Sequence, residues 1–150
     1  MRNLIYTASN VKAATDSGPS SHSCGLKQRI IQIHPTLRCN LLCTHCYSNS
    51  GPAAKISLEP SMVCKTLSDA AEMGYCVASF SGGEPLLYEG LFQVLAHAKA
   101  CGMHTTITTN GTLLSEEWLS RLQGFVDLLA ISLDGPPDLH NGGTKLAPSL

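Results

Sequence analysis

The chain has 150 residues, 10 basic and 11 acidic side chains, a formal charge of −1, 43% hydrophobic residues and 5% aromatic ones, which is the profile of a soluble globular domain. A pI near 6.6 without a Lys/Arg cluster argues against a nucleic-acid partner, and 14% charged residues is too few for a solvated disordered chain. The longest apolar stretch, 126–133, is broken by Asp127 and falls short of the roughly 20 residues of a spanning helix. The first residues lack the apolar core of a secretory signal, so no membrane partner is expected and the cytoplasm is the expected location.

Residues 1–25 are rich in Ser, Asn, Thr and Gly, show no sustained period, and predict a flexible N-terminal segment. The core is expected over 26–141. Arg29 to Thr36 hold a short β-branched run ended by Pro35, a strand by length and composition. Residues 59–73 place Val63, Leu67 and Ala70 on one helical face, with Pro60 in the first turn and Gly74 past the end. Residues 76–81 read as a buried strand running into Gly-Gly-Glu-Pro. A second helix over 89–101 carries Leu91, Val94, Leu95 and Ala98 and stops at Gly102. Residues 103–111 form a β-branched strand, Ser115 starts a third helix with Glu116 and Glu117 in its first turn, and 126–135 make a fourth strand. Residues 142–150 have no amphipathic face and predict an irregular tail.

Alternating strands and helices imply an α/β fold with parallel strands and right-handed crossovers, in which sites form at the C-terminal strand ends. Each of these ends carries a conspicuous group: the cysteines after the first strand, Gly82 to Pro85 after the second, Thr109-Asn110-Gly111 after the third, and Ser132 with Asp134 at the fourth.

Seven cysteines are a poor disulfide framework here, because their number is odd and Cys39, Cys43 and Cys46 crowd into eight residues. A Cys-x3-Cys-x2-Cys loop reads as a metal-ligand set. Three thiolates on one short loop can each take one iron of a four-iron cluster, leaving the fourth iron without a protein ligand. The competing reading is structural zinc, which asks for a closed tetrahedron, with His45 or His34 as a fourth ligand. Cys64, Cys76 and Cys101 read as small apolar filling, Cys24 as idle, His97 and His104 as surface or strand residues, and Trp118 as packing. Arg38 is explained as well by a solvated charge as by a role beside the first cysteine.

The cysteine loop followed by Tyr47, together with Gly-Gly-Glu-Pro, Thr-Thr-Asn-Gly and Ser-Leu-Asp-Gly at successive strand ends, resembles the radical S-adenosylmethionine (radical SAM) superfamily from about Ile30 to Asn141. The likeness is to the branch of molybdenum cofactor and pyrroloquinoline quinone biosynthesis proteins and peptide-modifying enzymes. It implies that Cys39, Cys43 and Cys46 hold a 4Fe–4S cluster. It further implies that S-adenosylmethionine binds the open iron and is cleaved reductively to a 5′-deoxyadenosyl radical. By position, His45 takes the site whose backbone lies beside the adenine, and Gly82, Gly83, Glu84 and Pro85 receive the methionyl ammonium. Asn110, Ser132 and Asp134 lie near the cofactor, Ser132 and Asp134 being placed to reach a ribose hydroxyl. The implied partners are a peptide or small-molecule substrate and a one-electron reductant such as flavodoxin or ferredoxin. A non-catalytic zinc- or iron-sulfur-binding fragment that acts by interaction is the alternative. The family's barrel has six strand-helix units and four are legible here, so the expected fold is a partial TIM-type barrel, a truncated N-terminal part whose fourth strand has an open apolar edge.

Overall fold

The computed structural model describes Ile5–Tyr6, residues 29–136 and residues 142–144. Its strands are β1 (Ile5–Tyr6), β2 (Ile30–Ile33), β3 (Val77–Phe80), β4 (His104–Thr109) and β5 (Leu128–Ile131). The helices α1 (Pro60–Glu72), α2 (Leu91–Ala100) and α3 (Glu116–Leu122) follow β2, β3 and β4 in turn. β2 to β5 run parallel, each beside its chain neighbour, in the sheet order β1-β5-β4-β3-β2. The strand-helix alternation is therefore present over somewhat tighter bounds. It forms one wall of the parallel α/β architecture.

Local chemistry sets the helix ends. Pro60 begins α1, where its missing N–H would have had no intrahelical partner. Gly74 and Gly102, at φ +82° and +73°, take the left-handed turn that stops α1 and α2. Ser115 caps α3, its Oγ accepting from the Trp118 N–H at 3.2 Å.

Register gives the sheet two unlike faces. Ile33, Phe80, Ile107 and Leu129 share one cross-strand row. This row packs with Val63 and Leu67 of α1, Leu91, Val94 and Leu95 of α2, and Leu122 of α3 into a single core. The neighbouring row, Gln32, Ser79, Thr106 and Leu128, belongs to the other face and is mostly amide and hydroxyl. Parallel sheets are ordinarily apolar on both faces. The polar row thus separates the helix-covered side from a side suited to water or a polar ligand.

Several expectations are corrected. The outer edge of β5 is not open along its whole length, because Ile5–Tyr6 pairs antiparallel with Leu129 and Ala130. Those two residues also stand within the segment expected to be flexible; the rest of residues 1–28, Cys24 included, lies outside the described residues, as do 137–141 and 145–150. The fourth strand is four residues long rather than ten. Its last sheet bond, Ser132 N–H to Thr109 O at 2.9 Å, is reached as β4 ends, and Leu133 onward has no neighbouring strand among the described residues. Leu119 is half exposed, so the inner face of α3 is carried by fully buried Leu122 and by Trp118, which packs partly buried against the core and stacks on Phe92. Cys64 and Cys101 lie partly buried against the core, whereas Cys76 is disulfide-bonded.

The entry to β5 is held by a charge. The Asp127 carboxylate accepts from Lys99 Nζ at 2.6 Å and from the Thr105 N–H at 2.7 Å, joining α2, β4 and β5. Burial pushes its pKa up, but the Lys99 ammonium and the Thr105 N–H outweigh burial and hold it below its ordinary 3.8. A carboxyl with a depressed folded pKa contributes stability above its unfolded pKa and loses it as pH falls through the folded one. We expect Asp127→Asn to unfold more easily at neutral pH and to show a flatter loss of stability below about pH 5 than the parent chain, by urea titration across pH. Parallel acid limbs would contradict this role.

Candidate functional site

Beyond β2 the chain stays extended and is laced to residues 51–58. Leu37 N–H donates to Ile56 O at 2.9 Å, Leu58 N–H to Pro35 O at 2.8 Å and Cys39 N–H to Gly51 O at 3.2 Å. The two ends of the cysteine loop are therefore tied together at its base. Leu41, 4% exposed, anchors its first turn, and Asn49 at φ +50° turns the chain back.

Cys39, Cys43 and Cys46 are free thiols of intermediate burial. Protein donors face two of the sulfurs: Leu41 N–H lies 3.4 Å from Cys39 Sγ, Ser50 N–H 3.4 Å from Cys46 Sγ, and Ser48 Oγ 3.5 Å from Cys46 Sγ. Burial pushes the Cys46 thiol up, yet the Ser48 hydroxyl and the N–H groups of residues 48–50 together bring it below its ordinary 9.0. Cys39 goes the other way, raised by burial and by the nearby Glu84 charge against the pull of Leu41 N–H. Sulfurs receiving N–H groups are suited to act as thiolate ligands. Among the described residues no three His, Cys, Asp or Glu side chains converge on a point that would hold a single ion. Three thiols on one short loop are the donor chemistry of a cubane, which takes each thiolate on a separate iron. The donor set fits an iron-sulfur cluster.

The turn after β3 packs directly on this loop. Gly83 N–H donates to Thr36 O and Glu84 N–H to Arg38 O, both at 2.9 Å. A Cβ on Gly83 would sit 2.2 Å from Arg38 O, and one on Gly82 2.8 Å from Thr36 O, so both glycines are fixed by the approach of two backbones. Gly82 O also accepts from Ser48 Oγ at 3.1 Å. Pro85 is buried and begins a single 3-10 turn, Pro85–Leu87.

Glu84 has 0% exposure. Its Oε1 accepts from Leu86 N–H at 3.1 Å and from Thr109 Oγ1 at 2.8 Å, and its Oε2 from Asn110 N–H at 2.9 Å. Burial raises its pKa above the ordinary 4.5, and these three donors oppose that rise. The side chain expected to accept from a ligand cation also joins the end of β3 to the end of β4.

Asn110 lies beside the first cysteine, with Nδ2 3.0 Å from Asn40 Oδ1 and 3.8 Å from Cys39 Sγ. His45 and Asp134 meet at 3.0 Å as a half-exposed pair, which joins the cysteine loop to the segment after β5. Such a pair adds little stability. Ser132 is exposed and is placed by its backbone bond to Thr109. Asp134 lies beyond the strand, so the strand alternation that would put it on the same face as Ser132 does not apply. In the tail expected to be irregular, residues 142–143 are helical and Gly143 touches the site: Thr44 N–H donates to Gly143 O at 3.0 Å.

Several contributors are not marked as site residues by the sequence. Tyr47 OH lies 3.1 Å from Ser81 Oγ and 3.3 Å from His34 Nε2, linking the cysteine loop to the ends of β3 and β2. Ser48, Asn40 and Thr109 complete the contacts above. The one available signal is their place within two residues of a cysteine or a motif glycine or asparagine.

The profile of the Radical SAM superfamily matches residues 33–146. The chain belongs to the radical SAM superfamily. It is 35% identical over 108 residues to an S-adenosylmethionine-dependent nucleotide dehydratase of Thermoplasmatales archaeon (strain ISO4-H5), covering 72% of this chain and 38% of that one. It is 40% identical over 97 residues to a PqqA peptide cyclase of Xanthomonas campestris pv. campestris (strain B100), covering 62% and 25% respectively. The structure of polyhistidine-tagged anSMEcpe with bound AdoMet superimposes with a TM-score of 0.66 at 26% identity, over 79% of this chain and 35% of that one. The chain thus spans between a quarter and two fifths of these relatives' length. Radical SAM enzymes use a 4Fe–4S cluster and S-adenosylmethionine, and the relatives named are enzymes.

Glu84→Gln sets an amide N–H2 against a site made of three donors. We expect a loss of about 1–3 kcal/mol in unfolding free energy, measured by urea titration. Unchanged stability would show that the carboxylate does not brace the strand ends.

Proposed function

We propose that this chain holds a 4Fe–4S cluster on Cys39, Cys43 and Cys46 and binds S-adenosylmethionine against it for reductive cleavage, in the modification of a peptide or a small molecule. The observation that carries this is the convergence of a loop of three free thiols with the Gly82–Pro85 turn and Asn110, each held against the next by hydrogen bonds. When bound, the cluster supplies the electron that splits the sulfonium, while the protein binds, orients and excludes side reactions.

The residues divide that work. The donors at Cys46 favour its thiolate form, and the Leu41 N–H opposes the rise that burial imposes on Cys39. Gly82 and Gly83 bring the turn close enough to the loop to form one wall of a shared site, and buried Glu84 keeps that wall and the Asn110 turn in register. His45, Asn110, Ser132 and Asp134 ring the same strand ends and are the groups proposed to touch the cofactor. A peptide substrate is favoured by the likeness to a PqqA peptide cyclase, and an AdoMet partner by the likeness to anSMEcpe with AdoMet bound. The reductant would be a one-electron carrier of the flavodoxin or ferredoxin class. No described helix is long and apolar enough to cross a membrane.

Anaerobic reconstitution with iron and sulfide should give a brown protein with about four irons per chain, and Cys43→Ala should lose that cluster. With dithionite and S-adenosylmethionine, the parent chain should release 5′-deoxyadenosine and the variant should not. A colourless protein that retains stoichiometric zinc through dialysis would contradict the proposal.

A further inference from the structure

We propose that the side-chain amide of Asn110 is a positioning residue for the iron-sulfur group, donating to the Cys39 sulfur and thereby setting the cluster's electron affinity. The inference rests on the reading of Cys39 as a cluster ligand and goes beyond it. Beside the place near the organic cofactor that the sequence suggests, the side-chain amide of Asn110 has the Cys39 sulfur and Asn40 as neighbours.

The orientation of the amide is dictated by its surroundings. Asn110 Oδ1 accepts from Thr112 N–H at 2.9 Å and from Thr112 Oγ1 at 2.7 Å. Turning the amide over would set N–H2 against that backbone N–H, donor against donor. Nδ2 is therefore directed to Asn40 Oδ1 at 3.0 Å and Cys39 Sγ at 3.8 Å. Asn40 Nδ2 in turn donates to Thr112 Oγ1 at 2.7 Å. Asn110, Asn40 and Thr112 thus close a ring in which each side chain donates to the next, an arrangement whose members polarise one another.

The ring stands on a fixed base. The Asn110 N–H is bonded to Oε2 of buried Glu84, and Asn40 follows Cys39 directly in the chain. The end of β4 is thereby joined through side chains to the first ligand cysteine. An N–H dipole aimed at a ligand sulfur withdraws charge from it, stabilises the reduced state and raises the reduction potential. Loss of the donor must lower that potential and weaken the hold on iron.

The test uses the full chain reconstituted anaerobically, with potentiometric EPR titration of the cluster and iron release to a chelator. Asn110→Ala removes the amide but keeps the backbone N–H on Glu84. Asn110→Leu keeps the bulk but carries neither a donor nor a charge, so a merely space-filling role would leave its potential unmoved. Both variants should titrate at a more negative midpoint than the parent, and iron affinity should fall about 10-fold. Asn40→Ala should shift the midpoint in the same direction by less, since it breaks the ring but leaves the Asn110 donor. Should Asn110→Ala fail to fold, the neutral, near-isosteric Asn110→Leu decides alone. Midpoints equal to the parent's in the folded variants would overturn this inference and leave the cluster assignment standing. A parent chain that takes up no cluster would overturn both.

Discussion

A buried carboxylate with three protein donors is the constraint on which the rest of the site depends. Glu84 accepts from its own turn through Leu86 and from the end of β4 through Thr109 and Asn110, while its backbone N–H reaches Arg38 at the entry to the cysteine loop. Three strand ends are thus fixed relative to one another around one closed-off anion. Carrying a carboxylate out of water is costly, and only because both of its oxygens are satisfied does the arrangement hold. The strand ends are arranged by a residue that solvent does not reach.

The same geometry explains how two adjacent glycines and a proline act as one unit. Gly82 and Gly83 admit the backbone of residues 36–38 at distances that no side chain tolerates, and Pro85 sets the turn that follows. The loop cysteines are then positioned from two directions, by their own loop through Gly51 and by the β3 turn through Arg38. On the sheet face away from the helices, Gln32, Ser79 and Thr106 present hydroxyl and amide groups beneath these strand ends. A polar wall beside a thiol-lined loop suits a ligand rich in hydrogen-bonding groups more than an apolar one.

Much of this was legible in the sequence. The periodicity of Val63, Leu67 and Ala70, the β-branched runs and the caps Ser115 and Gly102 carry local physics, and each of these elements formed near its expected bounds. The cysteine spacing and the strand-end motifs marked the site for the same reason, since ligand and turn chemistry are written in contiguous residues. Non-local partners were not legible. That Glu84 also accepts from Thr109 and Asn110, 25 and 26 residues away, could not be read from its own motif. Nor could the sequence show that Ile5–Tyr6 pairs with β5, because two residues in a polar segment carry no period. The shortening of the fourth strand belongs here too, for it is set by where β4 stops and not by the apolar run itself.

The central claim is that three thiolates of one short loop leave a single iron corner open for S-adenosylmethionine. Mössbauer spectroscopy of the 57Fe-reconstituted chain, recorded with and without S-adenosylmethionine, tests it most directly. One iron of the four should change its isomer shift and quadrupole splitting on addition, while the other three keep theirs. Four irons that all remain unchanged, each already held by a protein side chain, would contradict the account.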